Sequence, residues 1–109
     1  MIQVNELRIG NYVYYADNKT VLKVDGGHIC YPSKMHPIPL TEEILLKCGF
    51  EQTSIISIFE KDEFTLENWD DNEFIFRWND FTISVGLKHL HKLQNIYFAL
   101  KNEELEINL

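Results

Sequence analysis

Apolar and polar residues alternate with period two over much of this chain and switch to a helical spacing near the C-terminus. Period two marks strands with one covered face, and spacings of three and four mark a helix with an apolar stripe. Tyr12 and Tyr14 alternate with Val13 and Tyr15, residues 16–19 offer a turn, and Thr20–Val24 resumes a β-prone run. Asp25-Gly26-Gly27 supplies a second tight turn, and His28–Tyr31 reads as a third short strand. Residues 1–35 are thereby predicted to form a β-meander.

Residues 36–50 read HPIPLTEEILLKCGF and predict a short helix over 42–48. Pro37 and Pro39 force an extended lead-in. Thr41 is placed as N-cap, with Glu42 and Glu43 at the positive end of the helix. Leu40 and Leu45 sit at hydrophobic-staple positions. Gly49 fits the left-handed position after the helix, and Phe50 folds back on Leu45. Ile44, Leu45 and Cys48 form the expected buried side.

An antiparallel sheet is expected over 54–85. Its strands are Ser54–Phe59, Phe64–Trp69, Glu73–Trp78 with Phe74, Phe76 and Trp78 on one face, and a last strand in which Phe81, Ile83 and Val85 alternate with Thr82 and Ser84. Asn79-Asp80 tolerates left-handed backbone and predicts a tight hairpin between the last two. Leu90, Leu93, Tyr97 and Leu100 then fall at i, i+3, i+7 and i+10, so a C-terminal helix over about 89–101 is expected to pack on that sheet. Lys101 suits its negative end and Asn102 its left-handed stop. Leu105–Leu109 alternates as a short final strand. The whole reads as one α+β domain, 1–109, in three consecutive parts (1–35, 36–50, 51–109) sharing a core.

The length of 109 residues suffices for a core without metal or disulfide support. Charge narrows function further. Seventeen acidic residues against ten basic ones give −7, and the basic residues are scattered singly. Phosphate backbones and anionic membranes both demand clustered Lys and Arg, so neither direct nucleic-acid binding nor membrane binding is expected. Cys30 and Cys48 form no CxxC or CxxH spacing, so no zinc site is expected. With no signal-peptide core and no long apolar run, a cytoplasmic location with reduced thiols is the simplest reading.

Candidate chemistry concentrates in HLHKLQNIYFAL, residues 89–100. Two histidines two apart share a face on a strand but diverge on a helix, so His89 and His91 are not expected to chelate a metal jointly. His91, Gln94, Asn95 and Phe98 form a second helical stripe, where a His beside an amide could orient a ligand or a proton. The plainer reading is that the amides bind backbone and His91 bonds a loop. Tyr12 and Tyr14 are a possible contact surface, weighed against ordinary sheet packing. Carboxylates crowd residues 60–73, but the Ca²⁺-loop order is missing, and Asp70 and Asp71 read as solvated turn charges. Cys48 on an apolar helix side reads as a core thiol. No P-loop, GxGxxG or GxSxG is present, so no cofactor and no catalytic residue is expected.

Three segments, NELRIGNYV, IPLTEEILLKCGF and HKLQNIYFALKNEELEI, together resemble a group of short proteins of Bacteroides-type bacteria and their phages or mobile elements. The resemblance implies no activity. Leu7-x-x-Gly10-Asn11-x-Val13 also resembles the way small SH3-like barrels lead into their first strand, which leaves barrel closure open. The expected function is a non-enzymatic interaction module with a protein partner. One alternative is a small-molecule binder or small enzyme using His91, Gln94 and Asn95. Another is an acidic nucleic-acid mimic that binds a basic protein.

Overall fold

The computed structural model describes residues 7–15, 20–25, 34–70 and 73–108. The strands are β1 (Tyr12–Tyr15), β2 (Thr20–Lys23), β3 (Met35–His36), β4 (Glu51–Gln52), β5 (Ile58–Lys61), β6 (Phe64–Asp70), β7 (Glu73–Trp78) and β8 (Phe81–Leu87). The helices are α1 (Glu42–Lys47) and α2 (Leu90–Lys101). The fold is α+β, with two antiparallel sheets of order β2-β1-β3 and β4-β5-β6-β7-β8. Among the described residues no helix is long and apolar enough to cross a membrane.

The chain forms two compact units, each built from two stretches of sequence. One holds the described residues up to Pro39 together with His89–Leu105; the other holds Leu40–Lys88 and residues 106–108. The last helix belongs to the unit that holds the N-terminal strands. Its polar partners decide that, as described below.

In the first unit Val13, Val24 and Met35 are fully buried, with Leu7, Tyr15 and Leu22 packed against them. Gly10 N–H donates to Val24 O at 2.9 Å and Val24 N–H to Asn11 O at 2.8 Å, which extends the β1–β2 pairing. The turns expected at 16–19 and 26–27 and the strand expected at 28–31 lie outside the described residues. Another strand, β3, pairs antiparallel with the other side of β1. Among the described residues β2 and β3 pair only with β1, leaving the sheet open there. Leu90 N–H reaches Ile38 O at 2.9 Å, and Pro39 bridges His89.

In the second unit the caps of α1 match the sequence. Thr41 Oγ1 accepts from Ile44 N–H at 3.2 Å. Gly49 adopts φ +89, and Phe50 N–H donates to Leu45 O at 3.1 Å with Gly49 N–H to Leu46 O at 3.1 Å, the pairing that closes a helix through a left-handed residue. Leu45 and Cys48 are buried and Ile44 half-buried. The covered face of the sheet carries Phe59, Phe64, Leu66, Phe74 and Phe76, all buried. The Phe64 and Phe76 rings lie 5.3 Å apart and those of Phe64 and Trp78 6.3 Å apart, distances at which tilted aromatic pairs attract.

Two expectations are corrected. Ser54–Phe59 is mostly a turn: Thr53 Oγ1 donates to Ile55 O at 3.0 Å and accepts Ile55 N–H at 3.1 Å, so a local hydroxyl bond competes with the ladder. Only Ile58 and Phe59 join a strand, and the short β4 precedes them. Residues 105–108 form no strand. Leu105 is buried, and Asn108 N–H instead donates to Lys47 O at the end of α1, at 2.9 Å. The alternating apolar residues of β8, Phe81, Ile83 and Val85, are exposed. Asn79 (φ 48) and Asp80 (φ 71) make the expected turn, and Trp78 pairs with Phe81. The ladder then slips twice, so that Phe76 faces Ser84 and Phe74 faces Leu87.

Candidate functional site

The second stripe of α2 is an anchor for the chain's N-terminal segment. Gln94 is buried and spans the start of β1: its Oε1 accepts Tyr12 N–H at 2.8 Å and its Nε2 donates to Gly10 O at 3.1 Å. Gly10 has φ +101, a backbone shape that lets the segment turn toward the helix without a Cβ penalty. Asn95 Oδ1 accepts from Asn11 Nδ2 at 2.8 Å and from Arg8 Nε at 3.2 Å. Asn11 is itself buried and accepts Arg8 N–H at 2.7 Å through Oδ1.

Arg8 completes the arrangement. Its guanidinium lies 4.3 Å from the centre of the Phe98 ring, within cation–π range. It also holds Glu104 through two nitrogens, the Nη2–Oε1 contact measuring 3.0 Å. That hydrogen bond, with the positive charges of Arg8 and Lys23 beside it, holds the Glu104 carboxyl below its ordinary value against a smaller opposing effect of burial. Gln94, Asn95 and Phe98 are therefore brought together, with their polar groups taken up by Arg8, Asn11 and backbone. Arg8, Asn11 and Glu104 were missed from sequence; the segment NELRIGNYV was the available signal.

His91 is fully buried, yet the two histidines do not diverge. Their rings stack, with centroids 5.8 Å apart and planes 13° from parallel. The helical argument fails because His89 is the N-cap, with extended φ −127 and ψ 142, so the two positions are not both on helix. Among the described residues no group of three or more His, Cys, Asp or Glu side chains is placed to hold a metal ion.

Tyr12 and Tyr14 are half-buried. Lys23 Nζ stands 5.8 Å from the Tyr12 ring, and Tyr14 pairs with Val21 and His36. Cys48 is buried and its thiol is pushed up to about 12 by that burial, against the weaker pull of the Lys61 charge. The nearby cavity of about 460 Å³ is lined by Lys47, Cys48, Gly49, Lys61 and residues 106–108. In the acidic segment, Glu67 pairs with Arg77 at 2.6 Å and Glu73 with Lys88 at 2.9 Å. Asp62 occupies a left-handed turn position, Asp70 ends β6, and Asp71 lies outside the described residues.

One further surface stands out physically. Among the described residues β8 is the last strand of its sheet, and Phe81, Ile83 and Val85 on it are 74%, 41% and 70% exposed. No Lys, Arg, Asp, Glu or Pro interrupts 81–87, although charges and prolines are the usual protection of such edges. The two register shifts bend the strand but leave its apolar side chains outward.

The fold and these sites define a small α+β protein with an apolar sheet edge. Compared with known proteins, the chain matches no family model, no curated protein and no solved structure.

Proposed function

We propose that this protein is a non-enzymatic, cytosolic interaction module that binds a protein through β8. The observation that carries this reading is an edge strand with three exposed apolar side chains and no charge along seven residues. Strand addition to such an edge gains main-chain hydrogen bonds and apolar contact together. A charge of −7 supports a protein rather than a nucleic acid or an anionic membrane as partner. The resemblance to proteins of phages and mobile elements adds that setting to the proposal.

The binder or enzyme reading of His91, Gln94 and Asn95 is weaker, because the two amides already bond Gly10, Tyr12, Asn11 and Arg8. The acidic-mimic reading has less support still, since Glu67 and Glu73 are engaged by Arg77 and Lys88.

The test is affinity capture from host lysate with wild-type and Val85→Lys baits in parallel. The proposal expects proteins captured by the wild type to be lost from the variant. Equal capture by both would contradict it.

A further inference from the structure

We propose that the cavity beside the end of α1 binds a small monocarboxylate that also carries a hydrogen-bond donor, a hydroxy acid being the simplest case. The site is separate from β8 and does not rest on the reading of that edge. It begins with a lysine in an unusual place. Lys61 stands opposite Phe64 in the β5–β6 ladder, and Phe64 is fully buried. Residues directly opposite one another share a face, so Lys61 leaves the sheet on its covered side. Its stem lies along Gly49: a Cβ at that position would stand 3.8 Å from Lys61 Cε and 3.0 Å from Nζ. A charged group on a covered face ordinarily has a partner. Lys61 makes no ion pair among the described residues.

Lys61 instead lines a cavity of about 460 Å³ together with Lys47, Glu106 and Asn108. All four belong to the same compact unit. The volume falls within the range of small-molecule sites, roughly 300–1,000 Å³. Lys47 contacts Glu43 at 3.6 Å, and the Glu43 side chain is 80% exposed, a pair weak enough to yield to a ligand. Two ammonium groups against the one carboxylate of Glu106 leave a single positive charge in the lining, which one carboxylate complements. A second negative charge on the ligand meets repulsion, because Glu51, Glu60 and Asp62 line the adjoining cavity with Gly49 and Lys61. That neighbourhood selects a monocarboxylate over a phosphate dianion. Glu106 makes no ion pair among the described residues, and it is the acceptor for the ligand's hydroxyl.

The experiment is a titration of the full isotope-labelled chain, read by amide NMR shifts at one ionic strength held with sodium chloride. Sodium lactate, sodium propionate and sodium phosphate are the probes. Lactate is expected to give saturable shifts at Gly49, Lys61 and Asn108. Propionate lacks the hydroxyl and is expected to bind about tenfold more weakly, and phosphate is expected to bind more weakly than lactate. Lys61→Met keeps an apolar stem over Gly49 and removes the charge, so lactate should bind it at least about tenfold more weakly. Val85→Lys should bind lactate as the wild type does, which keeps this site distinguishable from the β8 reading. The amide spectra verify that each variant is folded. Lactate shifts that fail to saturate, or that spread over the whole surface, overturn the site. Propionate or phosphate binding as tight as lactate overturns it in the wild type alone, and so does unchanged lactate binding by folded Lys61→Met.

Discussion

Phe76 stands opposite Ser84 in the β7–β8 ladder. Trp78 pairs with Phe81 at the hairpin, so unbroken alternation would have set Phe76 against Ile83. The slip spends one residue and moves Ile83 away from the partner that would have buried it, whereas Phe81 lies before the slip. Because side-chain direction repeats every two residues, a one-residue bulge is enough to reverse a face.

Burial predicts opposite costs for two phenylalanines in adjacent strands. Phe76→Ala removes a fully buried ring and is expected to cost about 3–5 kcal/mol. Phe81→Ala removes a ring that is 74% exposed and is expected to cost less than about 0.5 kcal/mol, as surface changes do. Urea unfolding measures both. Similar costs at the two positions would contradict the burial of Phe76 and the exposure of Phe81.

Gln94 ties two backbone groups to α2 from a buried position. Gln94→Ala leaves the Tyr12 donor and the Gly10 acceptor without their partner, an expected loss of about 1–3 kcal/mol. Denaturant midpoints test this. Hydrogen exchange at Tyr12 adds a local readout, since that amide should lose protection when Gln94 is truncated.

The pair formed by Arg8 and Glu104 gives a pH dependence with a definite sign. The folded carboxyl is held below its ordinary 4.5 by the Arg8 hydrogen bond and charge. Its contribution is therefore present above the ordinary carboxylate range and is lost as pH falls through the lower folded value. Half of the Glu104 side chain is exposed, so solvent screening limits the effect to under about 1 kcal/mol. The stability difference between wild type and Glu104→Gln should shrink on acidification. A difference that is constant from neutral to acid pH would exclude the pairing.

Gly49 holds φ +89 after α1. Gly49→Ala places a side chain in that left-handed backbone, a strain of about 1–2 kcal/mol. Its Cβ would lie 3.0 Å from Lys61 Nζ, but a lysine tip moves easily, so the backbone dominates. A thermal melt should show the loss, and Gly49→Asn should lose less because Asn tolerates the region better.

The thiol of Cys48, raised to about 12 by burial, stays protonated near neutral pH. Alkylation of the native protein at mildly alkaline pH should leave Cys48 unmodified until denaturant is added, as peptide mass spectrometry would record.

The helices and the central strands were legible in the sequence because local signals agree there. Thr41, Gly49 and Phe50 define α1 from both ends; Asn79-Asp80 sets the hairpin; Asn102 (φ 56) stops α2. What escaped depends on longer range or on a single backbone state. The bonds from Asn95 to Arg8 and Asn11 cross more than eighty positions. The stacked histidines depend on His89 being extended. The register of β8 beyond Thr82 depends on two bulges that leave no mark in the alternation of Phe81, Ile83 and Val85. Of the candidate site, helical spacing places Gln94, Asn95 and Phe98 on one stripe, while their partners on the N-terminal segment leave no mark in that spacing.

The most direct measurement of the central claim is amide hydrogen exchange of β8 with and without the protein captured by the wild-type bait. Residues 81–87 should gain protection when that protein is added to the wild type and show no such gain in Val85→Lys. Exchange of these amides that is rapid and unchanged by the captured protein, while β6 and β7 stay protected, would contradict the account.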